Sequence, residues 1–273
     1  MKTFLYKITC ITNMHVGSGD ANYSVVDNEV EKDPVLGCPI IHSSGVKGAL
    51  RDFAEEKLRK NYPAVTALFG SPAASKPEGK VPANPGAIKF MDACLLSRPL
   101  RVKDGSSSFI QTTTVDIVNH FIRQVKAFGC LPNGLETLDE ISALPFEIKE
   151  FLTSLNSDKL KVEDEETGWL ANRINCLDVL KTLLGNDFAI AKSLDDYPLP
   201  VVARNKLEEK ISKTLWYEEY VPHDSVFFLI VLAQDEKDLD WLPDGSLVQF
   251  GGNASVGCGY TKLTRWGGFK ENE

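Results

Sequence analysis

Residues 15–51 read HVGSGDANYSVVDNEVEKDPVLGCPIIHSSGVKGALR. The stretch opens on Gly17 and Gly19, directly after a strand-like segment, and ends inside a helix that starts at Ser44. Between them lies a polar loop, residues 20–43, with an isolated acidic pair, Asp27 and Asp33. Glycine lets a backbone approach a ligand closely. A helix start bearing Lys47 and Arg51, four residues apart, offers N–H groups and positive charge to a phosphate. The combination points to a site that holds a phosphodiester backbone, with a carboxylate at hand to cut it.

Working outward, residues 3–12 (TFLYKITCIT) alternate Phe4, Tyr6, Ile8 and Cys10 with Leu5, Lys7, Thr9 and Ile11, a strand covered at least in part on both faces. After the loop, Ser43 or Ser44 can cap a helix whose stripe is Val46, Leu50, Phe53, Ala54 and Leu58. Pro63 marks its end, and residues 70–86 read as an exposed loop. A second strand is expected at 87–96 and a helix at 114–128, with Val115, Val118, Ile122, Val125 and Phe128 on one side. Residues 131–200 read as an acidic, mostly helical insertion. Residues 201–221 suit a hairpin with Arg204, Lys206, Lys210 and Lys213 along one side and Trp216 and Tyr217 coming back. SVFFLIVLA at 225–233 has the β-rich run of a central strand, and GGNASVGCG at 251–259 precedes a terminal strand, YTKLTRW. Without insertions, the order is strand, helix, strand, helix, strands. That is an α+β fold of the ferredoxin-like split β-α-β type, the architecture of RNA-recognition sheets, in a single domain spanning residues 1–273.

Composition agrees with an ordinary globular protein: 273 residues, 43% hydrophobic and 25% charged. No segment approaches the ~18 consecutive apolar residues of a membrane span, and the strand pattern begins at once, so no membrane association and a cytoplasmic location are expected. The formal charge of −8 argues against nucleic acid at face value. Residues 131–200, however, hold 14 Asp/Glu against 6 Lys/Arg, and the rest of the chain carries 24 of each sign. The acid is concentrated in one segment, leaving the remainder able to present a basic face. Cys10, Cys38, Cys94, Cys130, Cys176 and Cys258 form no C-x-x-C pair and read as buried reduced thiols.

Four blocks of this sequence resemble the RAMP superfamily of CRISPR effector proteins, and most closely the repeated backbone subunit of the type III-B (Cmr) RNA-silencing complex. They are HVGSG at 15–19, VVDNEVEKDPVLGCPIIHSSGVKGALR at 25–51, RNKLEE followed by LWYEEYVPHDSVFF, and QFGGNASVGCGYTKL at 249–263. The resemblance implies copies stacked as a helical filament along a CRISPR guide RNA, beside other Cmr subunits. The hairpin would be a thumb that displaces one guide nucleotide at a regular interval. Complementary target RNA would be cut beside each displaced position by a metal-dependent endoribonuclease active in the assembled complex. The divalent metal would be Mg2+ or Mn2+, and the cleavage residue and its metal ligand would be the acidic-loop aspartate, Asp27. Relatives often carry a basic residue in the last glycine loop where this chain has Cys258.

Each residue also has a plainer reading. A loop Asp is usually a turn former, but RNA carries its own nucleophile, the 2′-OH, so one carboxylate and good positioning suffice, giving a 2′,3′-cyclic phosphate. Asp33 before Pro34 is left as a turn residue; Asp20 and Glu29 are possible metal neighbours. His15 is expected to position the glycine turn or contact guide RNA, and His42 and His120 to be structural or solvent-facing. Guide-RNA contacts are assigned to His15, Gly17, Ser43, Ser44, Lys47, Arg51, Gly251, Gly252, Gly257 and Gly259. Target-RNA contacts fall to Arg204, Lys206, Lys210 and Lys213. Three alternatives remain open: a scaffold that binds guide without cutting, the equivalent subunit of a type III-A (Csm) complex, and a metal-independent guide-maturing endonuclease. The acidic insertion is expected to face neighbouring copies or a small helical subunit rather than RNA.

Overall fold

In the computed structural model the described residues are 1–17, 19, 25–71, 85–101, 108–130, 159–162, 165–169, 184, 188–191, 193–195, 197–209 and 211–266. They form a mixed α+β fold around one large sheet. In chain order the elements are β1 (Lys2–Cys10), β2 (Ile40–Ile41), α1 (Ser43–Lys57), α2 (Tyr62–Phe69), β3 (Lys89–Phe90), β4 (Ala93–Arg101), β5 (Phe109–Thr114) and α3 (Val115–Ala127). There follow β6 (Lys159–Val162), β7 (Glu165–Trp169), β8 (Phe188–Ala191), β9 (Val201–Glu208), β10 (Ile211–Glu219), β11 (Val226–Ala233), β12 (Ser246–Gln249) and β13 (Tyr260–Arg265).

The sheet runs β12-β13-β1-β11-β4-β5-β8, with β2 added beside β4 and β3 beside β11. Every pairing is antiparallel except β5 with β8. β11 is the centre, as its VFFLIVLA run requires: every residue but Leu232 is buried, which suits a strand covered on both faces. β1 lies against it in register from Lys2↔Ala233 to Thr9↔Val226. α1 buries Val46, Leu50 and Ala54, and α3 buries Ile117, Val118, Phe121, Ile122 and Val125. The Phe121 ring stands edge-on to Phe228 at 4.9 Å, joining α3 to the central strand. Thr114 accepts the Ile117 N–H at 3.2 Å and so caps α3, with Asp116 in its first turn and Lys126 in its last, each placed to suit the helix dipole.

Several expectations need correcting. Neither serine caps α1. The cap position is His42, and the Ser43 N–H is met by the Asp92 carboxylate at 2.6 Å, a residue 49 positions away that no local pattern could point to. Pro63 does not close α1; it sits in the first turn of α2, where a missing N–H costs nothing, with Asn61 accepting the Ala64 N–H at 3.4 Å. The strand expected at 87–96 is two, β3 and β4, and β5 and β12 were not foreseen. Most of the helical insertion expected at 131–200 lies outside the described residues; those described there include three short strands, β6, β7 and β8. β8 (FAIA) is buried at all four positions and pairs in parallel with β5. A four-residue apolar run has no period that tells strand from helix, and only pairing decides. Residues 131–158 and 170–183 lie outside the described ones, as do Asp20 and Lys210. Among the described residues, no helix is long and apolar enough to cross a membrane.

The β9–β10 hairpin is a sheet of its own, exposed along most of its length and buried only where it returns at Glu218 and Glu219. That buried end brings the hairpin to both glycine loops.

Candidate RNA-binding and cleavage site

Residues 13–17 run beside 219–221, with Met14 and Val221 exchanging both backbone hydrogen bonds at 2.9 and 2.8 Å. Met14 and Val221 are fully buried, which fixes this junction by packing as well as by the backbone. The His15 Nδ1 lies 2.7 Å from the Glu219 carbonyl. A carbonyl can only accept, so Nδ1 carries the proton and Nε2 is the acceptor in the neutral ring. The ring also leans on Tyr220, with centroids 5.6 Å apart.

The second glycine loop closes on the same point. Phe250 N–H donates to the Gly259 carbonyl (2.9 Å), Gly259 N–H to Asn13 (2.8 Å) and Gly252 N–H to His15 (2.9 Å). Gly251 has φ +79°, and a Cβ there would stand 2.1 Å from the His15 carbonyl oxygen; at Gly259, φ is +80° and a Cβ would meet the Phe250 carbonyl at 1.9 Å. The close approach these glycines allow is thus used by the chain itself, whereas a Cβ on Gly257 would meet nothing. Gly17 is exposed and sits beside His15 Nε2.

Asp27 is held from the hairpin side. Its N–H and that of Asn28 both donate to the Tyr217 carbonyl at 3.1 Å, and its Oδ2 accepts the Tyr217 N–H at 2.8 Å. Asn28 then accepts from the Glu219 N–H (2.9 Å), and Val30 N–H donates to Glu219 Oε2 (3.0 Å). The Asp27 side chain remains exposed, with one oxygen fixed to β10 and, among the described residues, no hydrogen bond to the other. Asp33 is a turn residue as its sequence context suggests: Oδ1 accepts the Val35 and Leu36 N–H groups, both at 2.8 Å.

Beside this lies a polar network that the sequence reading did not single out. Glu218 Oε1 accepts from Trp216 Nε1 (2.7 Å); Oε2 accepts from the Tyr220 hydroxyl (2.6 Å) and Asn253 Nδ2 (2.9 Å) and pairs with Arg204 Nε (2.9 Å). Arg204 also donates to the Tyr220 oxygen, from Nε at 3.0 Å and NH2 at 2.5 Å. Burial works to raise the Glu218 carboxyl, but the hydrogen bonds from Tyr220 and Trp216 and the Arg204 charge outweigh it and hold it below the usual glutamate range. Burial, together with donation to Glu218, pushes Tyr220 up to about 12, so it stays a phenol. The signal available in sequence was EEY, two acids and an aromatic at the end of a strand, where neighbouring apolar residues mark the turn inward.

Through this network Arg204, assigned to target RNA from the sequence, also anchors the hairpin base to the second glycine loop. Of the other hairpin cations, Lys206 pairs with Glu208 at 2.9 Å on the surface, and Lys213 is exposed at a bulge between Ser212 and Thr214. In α1, Ser44 is exposed, and Ser43 and Lys47 are half-buried. Arg51 turns back into the chain, donating from Nε to Glu55 (3.2 Å) and from NH1 to the Gly70 carbonyl (3.1 Å). The paired cationic face expected from Lys47 and Arg51 is therefore centred on Lys47. His42 is exposed and close to Glu31 (3.2 Å), and His120 leans on Phe228. The described cysteines are free thiols, and burial pushes Cys10, Cys38, Cys94 and Cys130 up to about 12.

A large, mostly antiparallel sheet with a separate standing hairpin, and two glycine loops that meet beside an acidic loop, define an α+β class of fold. The chain belongs to the RAMP superfamily, whose sequence profile matches residues 7–262. It is similar to the CRISPR system Cmr endoribonuclease Cmr4 of Pyrococcus furiosus, at 24% identity over 97% of this chain and 96% of that one. It is also similar to the CRISPR system CMR subunit Cmr4 of Saccharolobus solfataricus, at 26% identity over 95% and 94%. Among solved structures, a type III-B Cmr-beta chain bound to cognate target RNA superimposes with TM-score 0.69 (20% identity, 97% of each chain). Oligomeric Cmr4 from Pyrococcus furiosus gives 0.62 (18% identity, 99% of this chain and all of that one). Each of these likenesses covers at least 95% of this chain.

Proposed function

We propose that this protein is a guide-RNA-binding backbone subunit of a type III-B CRISPR complex and cleaves complementary target RNA with Asp27. The observation that carries the reading is the exposed Asp27 carboxylate, fixed by Tyr217 N–H at 2.8 Å where the acidic loop meets the hairpin base. The naming of full-length relatives as Cmr4, one of them an endoribonuclease, supports it. Copies would stack along the guide beside other Cmr subunits, in the cytoplasm.

RNA supplies the nucleophile. The 2′-oxygen forms a bond to the adjacent phosphorus, the bond from phosphorus to the 5′-oxygen breaks, and the 2′-OH proton passes to Asp27. The departing 5′-oxygen takes a proton from water, leaving a 2′,3′-cyclic phosphate and a 5′-hydroxyl. An acceptor held in line can contribute through position as much as through basicity.

Asp27 is also the residue that would hold a divalent cation, Mg2+ or Mn2+. The described residues contain no cluster of three His, Cys, Asp or Glu side chains suited to a metal. One exposed carboxylate oxygen fits an ion held mainly by substrate phosphate and water, as is common for Mg2+. Such an ion supplies charge neutralisation at the scissile phosphate.

A ferredoxin-like core accounts for the strand arrangement: β13, β1, β11 and β4 are neighbours in that order and all antiparallel, which is the fourth, first, third and second strand of a split β-α-β. The second crossover, from β11 to β13, carries a short 3-10 turn at Glu236–Leu239 where that fold has its second helix. The β9–β10 hairpin is the thumb in this reading, supported by the exposure of Val202, Ile211 and Leu215. Lys47 and the exposed start of α1 would hold guide phosphates without reading sequence.

The test is cleavage of end-labelled complementary RNA by the assembled complex, wild type beside Asp27→Ala, with and without magnesium. Periodic cuts that require Asp27 are expected. Undiminished cutting by Asp27→Ala would remove the assignment, and a target bound tightly but left intact by both proteins would leave a scaffold.

A further inference from the structure

Glu219 closes β10 where three segments converge, and it is 7% exposed. Its N–H donates to the Asn28 carbonyl at 2.9 Å, and its own carbonyl accepts the His15 Nδ1–H at 2.7 Å. Its carboxylate accepts the Val30 N–H on Oε2 at 3.0 Å and faces Lys32 from Oε1 at 3.6 Å. Val30, only 3% exposed, in turn bridges to Gly17.

A carboxylate buried to this degree is costly unless its charge is met, so its partners are held firmly. The partner here is a backbone N–H of the acidic loop, three positions beyond Asp27. The near side of that loop is tied by Tyr217, and its far side by Glu219. With both sides tied, the Asp27 carboxylate is directed outward from one backbone geometry. Remove the side-chain tie and the buried Val30 N–H loses its acceptor, leaving the loop held by Tyr217, by the backbone bond at Asn28 and, beyond Val30, by the Glu31 N–H on the Val16 carbonyl at 2.8 Å.

We infer that Glu219 is a positioning residue for target-RNA cleavage: its side chain fixes the acidic loop so that Asp27 meets the scissile phosphate in line, without itself touching RNA. The inference rests on the reading of Asp27 as the cleaving residue. A buried carboxylate whose partners among the described residues are Val30 and Lys32 acts on the reaction through the loop it holds.

The experiment compares Glu219→Ala, Glu219→Gln and Asp27→Ala in the assembled complex, measuring single-turnover cleavage, target affinity, and hydrogen exchange at the Val30 amide. Glu219→Ala is expected to slow cleavage on the order of tens of fold, since misplacement by about an ångström has effects of that size. Target affinity should stay within about twofold, because the guide supplies the pairing. The Val30 amide should exchange faster. Glu219→Gln still offers Val30 an oxygen and should restore most of the rate and the protection, a rescue that a charge contact to RNA would not show. Glu219→Asp, one methylene shorter, gives the same reading if the alanine variant does not assemble. Wild-type cleavage by Glu219→Ala beside an inactive Asp27→Ala would overturn the inference alone. So would a loss of target affinity in step with cleavage. Cleavage by Asp27→Ala would instead bring down the assignment on which the inference rests.

Discussion

Asp27 and Tyr217 hold each other through their backbones and one side chain: the Tyr217 carbonyl accepts the Asp27 N–H at 3.1 Å, and the Asp27 carboxylate accepts the Tyr217 N–H at 2.8 Å. Residues 190 positions apart thus form a closed ring of hydrogen bonds. One carboxylate oxygen serves structure and the other faces outward, which separates the two jobs an aspartate can do at this site.

That separation can be tested by Asp27→Asn. The amide oxygen can still accept the Tyr217 N–H, so the loop should keep its geometry and the complex its assembly. The outward group becomes neutral and non-basic, so cleavage should fall by roughly a hundredfold or more, as it does when a proton acceptor is removed. Target affinity should be unchanged. Cleavage by Asp27→Asn near the wild-type rate would mean that the carboxylate acts only as a tether.

Acid should loosen the hairpin base before the rest of the fold, through Glu218. Its carboxyl is held below the ordinary value of 4.5, so the unfolded chain takes up the proton first as pH falls. The stabilisation is fully present above about pH 4.5 and is lost as pH drops through the lower, folded value. Thermal melts between pH 6 and about pH 3 should show a steeper loss for wild type than for Glu218→Gln, which has no proton to gain. Parallel curves would show that Glu218 does not govern the acid limb.

The sequence carried the local features well and the distant ones poorly. β1, β11 and α3 were legible because period and β-propensity coincide with burial. The helix at Ser43–Lys57 was legible, but its cap was not, because the partner of Ser43 is Asp92 on another element. Asp27 and both glycine loops could be singled out as candidates, though not that the loops touch each other through His15 and Gly252. The partners of Arg204 were not legible, because a strand pattern shows which residues share a face, not that Glu218 and Tyr220 wait at the strand's buried end. β8 was missed because parallel pairing with β5 leaves no mark on a four-residue apolar run.

Gly251→Ala should test the junction of the two loops. The backbone there has φ +79°, and the new methyl would be 2.1 Å from the His15 carbonyl oxygen. Strain and contact together should cost about 2–3 kcal/mol of stability. Relief requires moving His15, so the bond from Gly252 N–H should break as well. The expected outcome is a lower melting temperature together with weaker guide-RNA binding. Gly257→Ala, where a Cβ meets nothing, shares the positive φ of +81° but not the clash, and should cost less. Equal losses in the two variants would mean that φ alone, and not the approach of His15, sets the requirement for glycine.

Arg204 and Lys213 are both hairpin cations, and they should respond oppositely to the same substitution. Arg204 stands over buried Glu218, 2.9 Å away, and donates to Tyr220. Arg204→Ala would leave that carboxylate without its counter-charge while Tyr220, Trp216 and Asn253 still bond to it. Arg204 itself is partly exposed, so water can replace some of what is lost, and the cost should be about 2–3 kcal/mol. Its RNA affinity at fixed fold should change little. Lys213 is exposed at the bulge, so Lys213→Ala should leave the melting temperature where it was. If Lys213 meets a phosphate, its removal should weaken binding uniformly across sequences and reduce the salt slope of log K by roughly one for a single lost contact. Melting curves and salt titrations of both variants decide the matter together. A stable Arg204→Ala that binds RNA poorly, with a reduced salt slope, would place Arg204 on the target-RNA face and make its pairing with Glu218 incidental.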